Sequence, residues 1–142
     1  VGCVLVYQGR VVARGRRKGT ADGGGNELDH AEMVALRRLV RTKPPMPAAA
    51  ITAFCTMEPC LMCFGALMLH GIGAVVYAYE DAMGGGTRCR RSRLNPLYRN
   101  SRIAVRGGVR REESLALFKD FFSDRTNRYW HASHLADYTL RQ

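Results

Sequence analysis

His30 is followed two residues later by Glu32, and further along Pro59 precedes the pair Cys60 and Cys63. One imidazole and two thiolates are three good zinc ligands. Three protein ligands leave the fourth tetrahedral position to water, which is the arrangement of a catalytic zinc site rather than a structural one. Such a water has its pKa lowered from about 15.7 to near 7. Its hydroxide can attack an amidine-like carbon, such as C6 of adenine or C4 of cytosine. Glu32 is placed to take the water's proton, pass it to the ring nitrogen and later protonate the departing ammonia. A carboxylate suits this task because one group must both accept and donate at one place.

Two blander readings of the same cysteines stand beside this one. Cys60-x-x-Cys63 alone could be a redox pair or half of a structural zinc site. A redox pair has no use for His30 and Glu32. A closed structural site needs a fourth ligand, for which Cys89 and His70 are the spare candidates. Cys3 and Cys55 lie in apparent strands and read as buried thiols, and His131 and His134 read as surface residues.

The elements around these residues must bring them together. Val4–Tyr7 and Arg10–Ala13 flank Gln8-Gly9 and predict a β-hairpin. From Gly15 to Asp29 there is no periodicity, only Arg16-Arg17-Lys18 and then the glycine triplet Gly23-Gly24-Gly25, so a mobile loop is expected to wall the site. Asp29 is the expected N-cap of a helix over about His30–Arg41, with Glu32 three residues on and an apolar stripe that includes Val40. The run 49–56 predicts a central strand. Pro59 is expected at the first position of a second helix, Cys60–His70, with Gly71 ending it. Gly73–Tyr79 predicts the next buried strand. An irregular stretch from Glu80 to Asn100 holds Gly84-Gly85-Gly86 and a basic run, and is followed by a short strand, Arg102–Arg106. Glu112–Ser123 is amphipathic and the tail from Asn127 is partly helical. Alternating strands and helices argue for a central sheet with helices packed on it. His30 and Glu32 then sit in the first turn of one helix, and Cys60 and Cys63 in that of another. Both helix N-termini can converge at the sheet edge where α/β folds bind ligands.

Composition bounds the partners. The 142 residues suggest one domain, 1–142, and carry 22 Lys and Arg against 12 Asp and Glu, a net charge of +10. That excess favours polyanions by steering and counterion release. A solubilising surface would look the same. No apolar run approaches the roughly 20 residues that span a bilayer, so no membrane role is expected. Five cysteines without disulfide spacing point to a reducing cytoplasm.

His30-Ala31-Glu32 and Thr56-Met57-Glu58-Pro59-Cys60-Leu61-Met62-Cys63 resemble the motifs of the zinc-dependent cytidine deaminase superfamily, most closely its bacterial tRNA adenosine deaminase branch. Ile72–Tyr77 with Glu80-Asp81-Ala82, Ser101-Arg102-Ile103, Gly108-Val109 and Glu113–Phe122 extend the likeness over roughly residues 1–125. The resemblance implies a three-layer α/β/α cytidine-deaminase-like fold with a mixed sheet of about five strands, whose first helix is absent from this numbering. It also implies one Zn2+ per chain, usually a homodimer, and hydrolytic deamination of a nucleobase, most closely adenosine to inosine in tRNA. The alternatives are a free base, nucleoside or nucleotide, cytosine in single-stranded DNA, or a zinc-stabilised nucleic-acid-binding module without turnover. His30, Cys60 and Cys63 are then the metal ligands and Glu32 the proton carrier. Ala31, Met57, Glu58, Pro59 and Arg17 are expected at the substrate, and Arg16, Lys18, Arg88, Arg90, Arg91 and Arg93 at nucleic-acid phosphates. Two features depart from the family. Gly15-Arg16-Arg17 stands where its members carry an Asn that contacts base and ribose, and the tail Tyr129–Gln142 is unlike the typical tRNA enzyme, so it either covers the pocket mouth or simply packs.

Overall fold

Alternating burial along the first strands sets one face of a sheet. The computed structural model describes residues 1–17, 26–41 and 45–142. In β1 (Gly2–Tyr7) the side chains of Cys3 and Leu5 are buried. The chain reverses at Gln8-Gly9, both with positive φ as a two-residue hairpin turn requires, and returns as β2 (Arg10–Arg16), antiparallel to β1. β3 (Ile51–Met57) pairs antiparallel with β1, and β4 (Ala74–Tyr79) and β5 (Ala104–Arg106) follow in parallel, giving the mixed order β2-β1-β3-β4-β5. The five-strand sheet expected from the resemblance is thus present.

Helices α1 (Ala31–Leu39) and α2 (Leu61–His70) cover one face. Ala31, Ala35, Leu36 and Leu39 of the first and Phe64, Leu67 and Met68 of the second pack on Leu5, Ala53, Cys55 and Val75. Full burial of Phe64 or Leu67 contributes about 1.5–3 kcal/mol each. α1 lies very close to β2. A Cβ on Gly15 would sit 2.0 Å from the Ala31 carbonyl oxygen and 2.7 Å from the Ala35 nitrogen. Glycine at 15 therefore sets how near the first turn of α1, with His30 and Glu32, comes to the sheet. After the short helix α3 (Pro96–Arg99), α4 (Arg111–Ser123) crosses the opposite face, where Ser114 and Leu117 border a groove with Val4, Phe54 and Ala78. α5 (His134–Arg141) packs on α4, its Leu135 and Ala136 joining Met57, Tyr79, Leu115 and Phe122 in a second cluster.

Both helices start later than expected, α1 at Ala31 and α2 at Leu61. The cap of α1 is His30, in extended conformation, not Asp29, and the cap of α2 is Cys60, not Pro59 at the first helical position. Neither side chain makes a conventional side-chain cap, although Cys60 meets its own helix at Cys63, the other thiol of the motif. Asp29 instead accepts from Asn26 at 2.8 Å and pairs with Arg37. α1 also stops sooner than expected, leaving Val40 63% exposed. Gly71 ends α2 at φ 82, as read from the sequence. The expectations for Lys18 and for the glycine triplet 23–25 fall outside the described residues.

A polar clasp holds the C-terminal half to the sheet. Arg111 donates to Glu80 through Nε at 2.9 Å and Nη2 at 2.5 Å, and the Tyr138 hydroxyl donates to the same carboxylate at 2.8 Å. The Arg111 hydrogen bonds hold the Glu80 carboxyl down at about 2. A carboxyl depressed in the fold stabilises fully above its unfolded pKa near 4.5 and loses that effect as pH falls towards 2. Glu80→Gln should cost about 1–2 kcal/mol at pH 7, reduced from the full shift because Arg111 is partly open to solvent. Thermal unfolding across pH 2–7 checks this: the gap between variant and wild type should close between about pH 4.5 and 2.

Candidate metal centre and cavity

The two helix starts that abandon ordinary capping are the ones that carry the motif. With His30 and Cys60 extended at their caps, their side chains turn out from α1 and α2 and meet, His30 Nδ1 lying 3.4 Å from Cys60 Sγ. Cys63 comes from the first turn of α2 and is fully buried. One ligand atom from each of His30, Cys60 and Cys63 lies within 4.8 Å of the others, the only such group among the described residues. The three are in position to coordinate one metal ion. One nitrogen and two sulfurs are a zinc donor set with one coordination position to spare. Neither Cys89 nor His70 joins the group.

The electrostatics suit a cation. The Cys60 thiol is brought down to about 4, first by the hydrogen bond from Cys63 and then by His30, against burial. The Cys63 thiol is pushed up by its bond to Cys60 and by burial, so the pair shares one thiolate until a metal takes both. The free N–H groups of the first turn of α2 add to the preference for thiolate. Glu32 is 3% exposed, within hydrogen-bonding reach of Cys63, and its burial raises its carboxyl above the usual range.

A cavity of about 390 Å³ opens over this group. Arg17, Ala31, Glu32, Met57 and Glu58 line it with His30 and Cys60, while Pro59 is fully buried. The Glu58 carboxylate is occupied: it accepts from the Asp81 and Thr87 amides, each at 3.2 Å, and from the Thr87 hydroxyl. The loop it gathers runs against the start of α2, where a Cβ on Gly86 would meet the Leu61 nitrogen at 2.6 Å. Glu58 thus braces the wall beside Cys60. Arg17 lies inside the cavity. Its Nη1 donates to His30 Nε2 at 2.6 Å, its Nη2 donates to the Tyr129 hydroxyl at 2.5 Å and pairs with Glu27, and its buried Nε has no partner among the described residues. Arg16 points elsewhere, to the groove of the opposite face. Arg88, Arg90 and Arg93 are exposed just past Thr87, whereas Arg91 is committed to the Ser101 and Ile103 carbonyls at 3.1 and 3.2 Å.

Sequence reasoning did not place Thr87 at the site, and it named Glu27 only within the loop expected to wall the site and Tyr129 and Trp130 only within a tail that either covers the pocket mouth or simply packs. Thr87 and Tyr129 act across long stretches of chain, on Glu58 and Arg17. The one local signal was an Arg-Tyr-Trp run in a tail otherwise read as partly helical.

A sequence model described as the cytidine and deoxycytidylate deaminase zinc-binding region matches residues 1–79. A tRNA-specific adenosine deaminase of Streptococcus pyogenes serotype M1 is 29% identical over 135 residues, covering 95% of this chain and 78% of that protein. The tRNA-specific adenosine deaminase 2 of Xenopus tropicalis is 33% identical over 133 residues, covering 86% and 75%. Among solved structures, one from a study of A-to-I editing by tRNA A34 deaminases superposes with a TM-score of 0.60 at 27% identity, over 75% of this chain and 81% of that one.

Purified protein should hold one zinc per chain by atomic emission. Cys60→Ala and Cys63→Ala should each retain less than about a tenth of it at equal free zinc, as loss of one of three ligands predicts.

Proposed function

Because the chain belongs to the family of deaminases that share the cytidine and deoxycytidylate deaminase zinc-binding region, we propose that it hydrolytically deaminates adenosine to inosine in tRNA. The observation that carries the reaction class is the buried Glu32 carboxyl in one cavity with the three ligand atoms. His30, Cys60 and Cys63 would hold zinc, which would supply a water acidic enough to lose a proton near neutral pH. Glu32 takes that proton, delivers it to the ring nitrogen of the base, and later protonates the leaving ammonia. Its burial in one cavity with the ligand atoms suits such a shuttle, because one carboxyl can both take and return the proton there. Ala31, Met57 and Arg17 bound the space for the base.

The tRNA substrate is supported by the similarity to tRNA-specific adenosine deaminases and by the charge of +10. It is supported too by exposed Arg88, Arg90 and Arg93, which follow the loop braced by Glu58 beside Cys60. Those side chains can hold phosphates flanking a flipped base. A homodimer fits exposed Leu61 and Leu69 on α2 and Leu97 on α3. Among the described residues no helix is long and apolar enough to cross a membrane.

Zinc-loaded protein incubated with tRNA, single-stranded DNA and free nucleosides should yield inosine from tRNA. Turnover confined to free nucleosides would contradict the tRNA reading. Glu32→Ala should keep its zinc and lose about 10²–10⁴-fold in kcat. Full activity of that variant would remove Glu32 from the proton path.

A further inference from the structure

The segment between α4 and α5 presents two aromatic rings at the cavity. Asn127 fixes its start: Nδ2 donates to the Phe121 carbonyl at 3.1 Å and Oδ1 accepts from the Tyr129 amide at 3.0 Å. Ser133 fixes its end, its hydroxyl accepting from the Ala136 amide at 3.1 Å to cap α5. Between these anchors Trp130 takes a left-handed backbone, φ 55. Bulky residues rarely adopt it, and it persists where the surroundings over-determine it, commonly at binding sites.

The contacts run outward from the metal ligands. Arg17 bonds His30 and lies 5.2 Å from the centre of the Tyr129 ring. Tyr129 stacks on Trp130 at 5.3 Å and 11° between planes. Trp130 is the outermost member, lines the cavity, and is 37% exposed. Arg125 and Arg128 are exposed on the same segment. An open indole beside cations is the composition of a single-strand platform, in which rings stack bases and cations follow phosphates.

We infer that Trp130, backed by Tyr129, stacks the nucleobase adjoining the one that enters the cavity. The inference rests on the reading of the chain as a deaminase of nucleic acid and adds a binding subsite to it. The target base has to reach Glu32 and the metal ligands, while Trp130 joins His30 through Tyr129 and Arg17, so the indole meets a neighbouring base. A free nucleoside has no such neighbour and makes no use of it.

Trp130 is the only tryptophan of the chain, so its fluorescence reports the subsite directly. Zinc-loaded protein is titrated with an RNA stem-loop bearing one adenosine in its loop, and with the same RNA made abasic at either neighbour of that adenosine. Intact RNA should quench the emission, and one abasic RNA should not. Trp130→Ala should raise KM for the intact RNA about tenfold with kcat unchanged, and Trp130→Phe should recover most of it. Unchanged melting temperatures show that the variants fold, and the abasic comparison on wild-type protein holds without them. RNA that is deaminated with no change in emission, or with equal KM for intact and both abasic forms, overturns the subsite and leaves the deaminase reading standing. RNA that is neither bound nor deaminated overturns the nucleic-acid reading and the subsite together.

Discussion

Two helix N-termini have to meet at one sheet edge, and nearly everything at the site follows from that constraint. Three ligand atoms from α1 and α2 lie within 4.8 Å of one another. To reach that point His30 and Cys60 stand extended at their helix caps and give up the usual cap hydrogen bond, which is worth about 1 kcal/mol in other helices. The N–H groups left open in the first turn of α2 face a thiolate, so the lost cap and the ligand's charge compensate each other. The spacing between the two helices is set elsewhere. Gly15 lets α1 approach β2, and α2 follows directly from β3, its N-terminal turn beside the strand end that bears Met57.

A second carboxylate keeps the wall in place. Glu58 and Glu32 are both 3% exposed, yet their surroundings divide their work. Glu58 has its acceptors filled by Asp81 and Thr87 and serves as a brace. Glu32 is raised by burial and shares its cavity with the ligands, which leaves it suited to proton transfer. The same motif segment therefore supplies ligands at Cys60 and Cys63 and, two residues before the first of them, the tie that positions their neighbour loop.

Much of this was legible in the sequence. The His-x-Glu and Pro-Cys-x-x-Cys spacings identified the ligand set, and alternating apolar runs gave the strands to within a few residues. The helix starts were placed too early because Asp29 and Pro59 obey general preferences for helix starts, while the metal site demands the caps for His30 and Cys60. Val40 was misjudged because the apolar stripe outlasts the helix. Thr87 and Tyr129 escaped because their partners, Glu58 and Arg17, are far away in the chain and no local pattern announces the pairing. Arg17 shows the same limit from the other side. The stretch Gly15-Arg16-Arg17 was expected to depart from the family pattern, but only the contacts with His30, Glu27 and Tyr129 show what the Arg17 guanidinium touches.

The clasp on Glu80 and the cap at Ser133 explain how a tail of weak sequence signal still comes to lie at the cavity, since both ends of the Tyr129–Trp130 segment are tied to well-packed helices. The chemistry nonetheless depends on one property of the metal centre, that three and not four protein atoms hold the ion. Zinc K-edge X-ray absorption of the loaded protein tests it most directly. The account predicts two sulfurs at about 2.3 Å and two nitrogen or oxygen neighbours at about 2.0–2.1 Å, one of which exchanges for an added small anion. A shell of three or four sulfurs, or two sulfurs with two imidazoles and no exchangeable neighbour, would mean a closed structural site and would contradict it.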